Sequence, residues 1–153
     1  MKILMVCLGN ICRSPLAEGI LQHKAKAAGL NWEVNSAGTG NYHIGEAPHI
    51  LSQKVALMHG IDISQHKARQ FVANDMLIYD LIYVMDNDNY KAVAQISKKH
   101  FDAHKTDLIM NVLFPNTNTE VPDPWFGTEP DFLKVYQMLD AATDAIIEKY
   151  SNK

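Results

Sequence analysis

The stretch VCLGNICRSPLAE, from Val6 to Glu18, constrains this chain more than any other segment. Met1 to Leu8 is an apolar run with the length and regularity of a buried strand. Gly9 and Asn10 break it, and both residue types tolerate the positive φ of a tight turn. Ser14 then suits a helix N-cap and Pro15 the first helical position, with Leu16, Ile20, Leu21, Ala25 and Ala28 recurring at helical spacing. A loop pinned between a strand end and a helix start turns its amide N–H groups inward, and the helix dipole favours an anion there. The Gly-Lys-Ser/Thr of nucleotide-binding loops is absent.

This loop instead offers an anion a thiol at Cys7 and a guanidinium at Arg13. Oriented amides, a helix N-terminus and a neighbouring arginine all favour thiolate over thiol, and the thiolate is the attacking species. The chain has only two arginines, Arg13 and Arg69, against twelve lysines. One of the two stands where a planar fork that grips two phosphoryl oxygens is more useful than a point charge.

With its flanking elements, the loop resembles the signature of the low-molecular-weight protein tyrosine phosphatases. The similarity continues through SAGTG (Ser36 to Gly40), HKARQ (His66 to Gln70), DLIYVMDNDN (Asp80 to Asn89) and VPDPWFG (Val121 to Gly127), so it spans essentially the whole chain. The resemblance implies a phosphotyrosine hydrolase with a phosphocysteine intermediate on Cys7. It implies phosphoryl binding by the loop residues Leu8, Gly9, Asn10, Ile11, Cys12 and Ser14 together with Arg13. Asn10, Ser36 and His66 match positions that brace the loop in that family, with Glu18 one turn into the helix as a partner for His66.

Displacing a phenoxide from phosphorus needs a proton donor for the leaving oxygen. Read from the residues alone, Asp123 between Pro122 and Pro124 is either a turn residue or a carboxylate held for proton transfer. The resemblance makes it the general acid and then the general base. Tyr42, Trp125 and Phe126 are ring walls for a phosphotyrosine or ordinary core and surface aromatics; the resemblance favours the walls. Cys12 could trap Cys7 as a disulfide after oxidation and so protect it.

Apolar runs alternate with helical patterns along the chain. Strands are expected at Lys2–Leu8, Trp32–Ser36, Leu81–Met85 and Thr106–Val112. Helices are expected at Ser14–Ala28, Pro48–His59 with Gly60 as its C′ residue, Asn74–Tyr79, Asn87–Lys98 capped by Asp86, and a last one whose apolar face runs from Phe132 to Tyr150. Such alternation specifies an α/β fold with a parallel sheet. The resemblance implies a single-domain, three-layer sandwich over residues 1–153, with a four-stranded parallel sheet in order 2-1-3-4 and helices on both faces. Ligands bind such sheets at the carboxyl ends of the strands, where the Cys7 loop leaves the first strand.

Composition excludes several other classes. A net charge of −3 and a pI near 6.1 do not fit nucleic-acid binding. No apolar stretch approaches a membrane span, and the opening run is too short for a signal peptide. Both cysteines lie in one loop, so no disulfide framework is expected, and a thiolate enzyme suits the reducing cytoplasm. The histidines show no paired metal-ligand spacing, so neither a metal nor a cofactor is expected. The expected partners are a phosphotyrosyl protein or peptide as substrate and inorganic phosphate as product, with oligomeric state undetermined. Thioredoxin-coupled arsenate reductases share the loop but need further cysteines to pass a disulfide outward, and this chain has none. A non-catalytic phosphate-binding module would need neither Cys7 nor Asp123.

Overall fold

The computed structural model describes residues 1–151. Its centre is a four-stranded parallel sheet in the order β2-β1-β3-β4, with β1 at Lys2–Cys7, β2 at Glu33–Gly38, β3 at Leu81–Val84 and β4 at Thr106–Leu108. Strand β1 pairs with both β2 and β3, and Ile3 to Val6 are fully buried, which is why its sequence is continuously apolar rather than alternating. Its side chains divide by the period of two. Ile3, Met5 and Cys7 join a core with the helices α1 (Arg13–Ala27), α2 (Ile50–Leu57) and α5 (Glu129–Tyr150). Leu4 and Val6 join a second core with α3 (Asp75–Ile78) and α4 (Asn87–Ser97). The layers are therefore helix, sheet, helix, as expected.

Element boundaries differ from the sequence reading in informative places. Helix α1 begins at Arg13, with Cys12 in the N-cap position and no side chain capping it. Ser14 is not the cap, because its hydroxyl is committed to Cys7 and Asn10. Strand β2 runs on to Gly38 because Cys7 still pairs with it there. A Cβ on Gly38 would stand 2.7 Å from the Leu8 carbonyl oxygen, so glycine permits the loop to lie against β2. Helix α2 starts two residues late, capped by His49, whose Nδ1 accepts the Leu51 N–H at 3.0 Å. It also ends two residues early, at Leu57 with Met58 as its C-cap, so Gly60 is not its C′ residue as expected, although its φ of 77° is left-handed.

The expected strand Thr106–Val112 is the largest discrepancy. Only Thr106–Leu108 pairs, and Ile109–Val112 form a 3₁₀ turn. The cause is Asp107, whose Oδ1 accepts from the Leu108 N–H and from Asn111 Nδ2, turning the chain out of the sheet. Asp86 caps α4 as expected, accepting the Asn89 N–H at 2.8 Å. No helix among the described residues is long and apolar enough to cross a membrane.

Candidate active site

The loop between Cys7 and Arg13 leaves β1 at its carboxyl end, where the strand order switches between β2 and β3. It lines a cavity of about 260 Å³ with Cys7 at its floor. Leu8, Gly9, Ile11, Cys12, Arg13, Tyr42, Asp123, Trp125 and Phe126 surround it, all expected site residues, and His43 completes the wall. Asn10 and Ser14 are the exceptions among the residues expected to bind substrate. Both are fully buried and outside the cavity lining.

Those two residues brace the loop from behind. Asn10 has φ of 58°. Its Oδ1 accepts from the Arg69 backbone N–H and faces His66 Nε2, each at 3.0 Å. A backbone N–H can only donate, which fixes the amide orientation and makes His66 Nε2 a donor as well. Asn10 Nδ2 therefore donates to Ser14 Oγ at 2.8 Å and to Ser36 Oγ at 2.9 Å. The Ser36 hydroxyl donates to Glu18 Oε1 at 2.6 Å, and the Ser14 hydroxyl is left to donate to Cys7 Sγ at 3.0 Å. The backbone N–H of Asn10 also reaches that sulfur, at 3.3 Å. Glu18 and His66 approach to 3.6 Å as expected. Burial raises the Glu18 carboxyl and lowers the His66 imidazole, so the interior works against both charges.

Arg13 is 2% exposed yet charged. Burial opposes its charge, and Cys7, Asp86 and Asp123 together overcome this and hold the guanidinium above its ordinary value. Its Nη1 donates to Asp86 Oδ2 at 2.7 Å and to the Val121 carbonyl at 2.9 Å. Nη2 faces Asp123 Oδ2 at 3.8 Å, and the buried Nε has no protein partner. Nε and Nη2, neither hydrogen-bonded within the protein, share one edge of the guanidinium, the edge suited to grip two phosphoryl oxygens. Asp123 Oδ1 accepts the Trp125 N–H at 3.1 Å, leaving Oδ2 as its oxygen nearest Arg13.

The two cysteines are unlike. Burial first, then the charges of Cys7 and Asp123, push the Cys12 thiol up to about 12, so it is neutral at physiological pH and no rival nucleophile. Sequence reasoning missed two contributors. The sequence marks Asp86 only as a helix cap, but its other oxygen clamps Arg13 from 73 residues away. His43 packs against Trp125 with ring centroids 5.1 Å apart, and its Nδ1 lies 3.0 Å from Glu46 Oε2. A Cβ on Gly9 would come within 3.0 Å of its ring, so that glycine admits the histidine wall. No periodicity or motif flags His43.

A cysteine flooring a strand–loop–helix anion cradle, with an arginine and a carboxylate over it, defines the class: a cysteine-dependent phosphomonoester hydrolase. A family model described as "Low molecular weight phosphotyrosine protein phosphatase" matches residues 2–153. The chain belongs to that family. It is 34% identical over 150 residues to the human low molecular weight phosphotyrosine protein phosphatase, covering 97% of this chain and 94% of that protein. The crystal structure of an Entamoeba histolytica protein tyrosine phosphatase with Hepes in its active site superposes with a TM-score of 0.91 at 34% identity, over 99% of this chain and 97% of that one. Vibrio vulnificus Wzb in complex with benzylphosphonate gives 0.87 at 32% identity over 97% of each chain.

Proposed function

We propose that this protein hydrolyses phosphotyrosine in proteins or peptides, through a phosphocysteine on Cys7. Thiolate Cys7 attacks phosphorus in line while the loop amides and the Nε–Nη2 edge of Arg13 hold the three equatorial oxygens. The P–O bond to the phenol breaks, and Asp123 protonates the departing oxygen. Water then attacks phosphorus with Asp123, now ionised, as general base. Cys7 leaves as thiolate, eased by the Ser14 hydroxyl, and inorganic phosphate is released. Positioning and fixed dipoles suffice for each step.

The observation that carries this reading is the convergence of Cys7, Arg13 and Asp123 on one cavity walled by Leu8, Ile11, Tyr42, Trp125 and Phe126. Such walls suit an aryl ring, and the Wzb relative's benzylphosphonate is an arylmethyl phosphonate. Two reduced cysteines suit a reducing compartment, which favours the cytoplasm, and the whole of 1–153 is read as one phosphatase domain.

Hydrolysis of p-nitrophenyl phosphate by wild type, Cys7→Ser and Asp123→Ala tests the mechanism. We expect no turnover in Cys7→Ser and a loss of about 10²–10³ in kcat in Asp123→Ala. Full activity in Cys7→Ser overturns the phosphocysteine, and preference for phosphoserine over phosphotyrosine peptides overturns the substrate.

A further inference from the structure

Of the twelve large apolar side chains exposed among the described residues, eight border the cavity mouth or lie on α2, its C-cap Met58 or the segment leading to it. That segment is fastened to the phosphate loop at both ends. The Gly40 N–H donates to the Leu8 carbonyl at 2.9 Å, and the His49 N–H to the Ile11 carbonyl at 2.8 Å. Between them Tyr42 and Ile44 face solvent, and across the mouth Phe126 is 97% exposed. Helix α2 then buries Ser52, Val55 and Ala56 and leaves Ile50, Leu57 and the C-cap residue Met58 open. Residues seven and eight apart share a helix face, so these three lie in one stripe, with Gln53 and Lys54 between Ile50 and the Leu57–Met58 end.

The N-terminal end of the stripe adjoins the mouth. The ring of His49, the cap of α2, meets Trp125 edge-on at 5.7 Å. Lys54, on the open face, pairs with Glu129 at 2.8 Å, two residues beyond the Trp125–Gly127 loop. That pair also spends the only cation of α2, while Glu46, 57% exposed and paired with the wall residue His43, carries its carboxylate beside the mouth. Any polypeptide that delivers a phosphotyrosine to Cys7 must lie across this rim. It meets apolar surface towards α2 and negative charge beside it.

We propose that the α2 stripe, with Ile44 and Phe126, is a docking shelf for the substrate polypeptide, selecting apolar and rejecting acidic residues next to the phosphotyrosine. This rests on the phosphatase reading above and adds a substrate class to it.

The test uses two phosphotyrosine peptides of equal length, one flanked by leucine and isoleucine and one by glutamate at the same positions, with p-nitrophenyl phosphate as a substrate that reaches only the cavity. Wild type should show kcat/KM about tenfold higher for the apolar peptide, the size of one well-buried aliphatic contact. In the triple variant Ile50→Ser, Leu57→Ser, Met58→Ser that preference should fall to about one, with p-nitrophenyl phosphate turnover unchanged. Equal rates for the peptides in wild type, or an undiminished preference in the variant, overturn the shelf. A wild-type dimer in sedimentation velocity that the variant dissolves while keeping its peptide preference assigns the stripe to a second copy and also overturns it. Failure of wild type on all three substrates overturns the phosphatase reading itself.

Discussion

Asn10 sets the loop through one backbone angle and four side-chain hydrogen bonds, and the two contributions are separable. Glycine keeps the positive φ free of strain but loses the bonds; alanine loses both. Urea denaturation should place Asn10→Gly about 2–3 kcal/mol below wild type, with Asn10→Ala about 1 kcal/mol lower again. Equal stabilities would mean that the loop leaves the left-handed region once its braces are gone. The sequence showed Asn10 as a turn residue but gave Gly9 the same role. Only the structure assigns the positive φ to Asn10 and the close approach of His43 to Gly9, because their partners come from remote segments.

Glu18 offers a second test at this scale. Burial raises its folded-state value above the ordinary 4.5, so folding favours the neutral acid. Stability from this group is complete below the unfolded value and is lost as pH rises through the folded one. Glu18→Gln keeps an oxygen for the Ser36 hydroxyl without the charge. Its stability relative to wild type should therefore climb as pH rises above about 4.5 and then level off. The urea midpoints of the two proteins between pH 4 and 8 check this; a constant gap would show that Glu18 ionises in the fold as freely as outside it.

At the scale of elements, the helix starts carry the chemistry, and they were only partly legible. Ser-Pro marks the start of α1 in sequence, yet the serine serves Cys7 and no side chain caps the helix. The start of α5 is tied by a capping box just after the Asp123–Phe126 loop: Asp131 Oδ2 accepts the Thr128 N–H at 2.8 Å and its hydroxyl at 3.3 Å. Gly127 makes room for it, since a Cβ there would lie 2.5 Å from Asp131 Oδ2 and 2.8 Å from its Cβ. Gly127→Ala should break the box, cost about 1 kcal/mol, and lower kcat with little change in phosphate affinity, because it disturbs the acid's loop but not the anion cradle. Thermal unfolding, steady-state kinetics and product inhibition by phosphate measure the three effects; weakened phosphate binding would show the two loops to be coupled.

Over the whole molecule, the alternation of strands and helices was readable because each apolar period belongs to one local segment. The clamp on Arg13 was not, because Asp86 follows β3 and Val121 follows the turn after β4, so only the closed sheet brings them to residue 13. An anion held by Arg13 and the loop amides therefore joins three distant parts of the chain and should stabilise the fold as a unit. Phosphate at ten times its dissociation constant should add about 1.4 kcal/mol to unfolding. Cys7→Ser should retain this increment, since the sulfur is not needed to hold the oxygens. Arg13→Lys should lose most of it, since lysine offers one point charge in place of the Nε–Nη2 edge. Differential scanning calorimetry with and without phosphate reads the increment separately from each variant's own stability. A shift of equal size in Arg13→Lys would move the anion's main hold from the guanidinium to the loop amides.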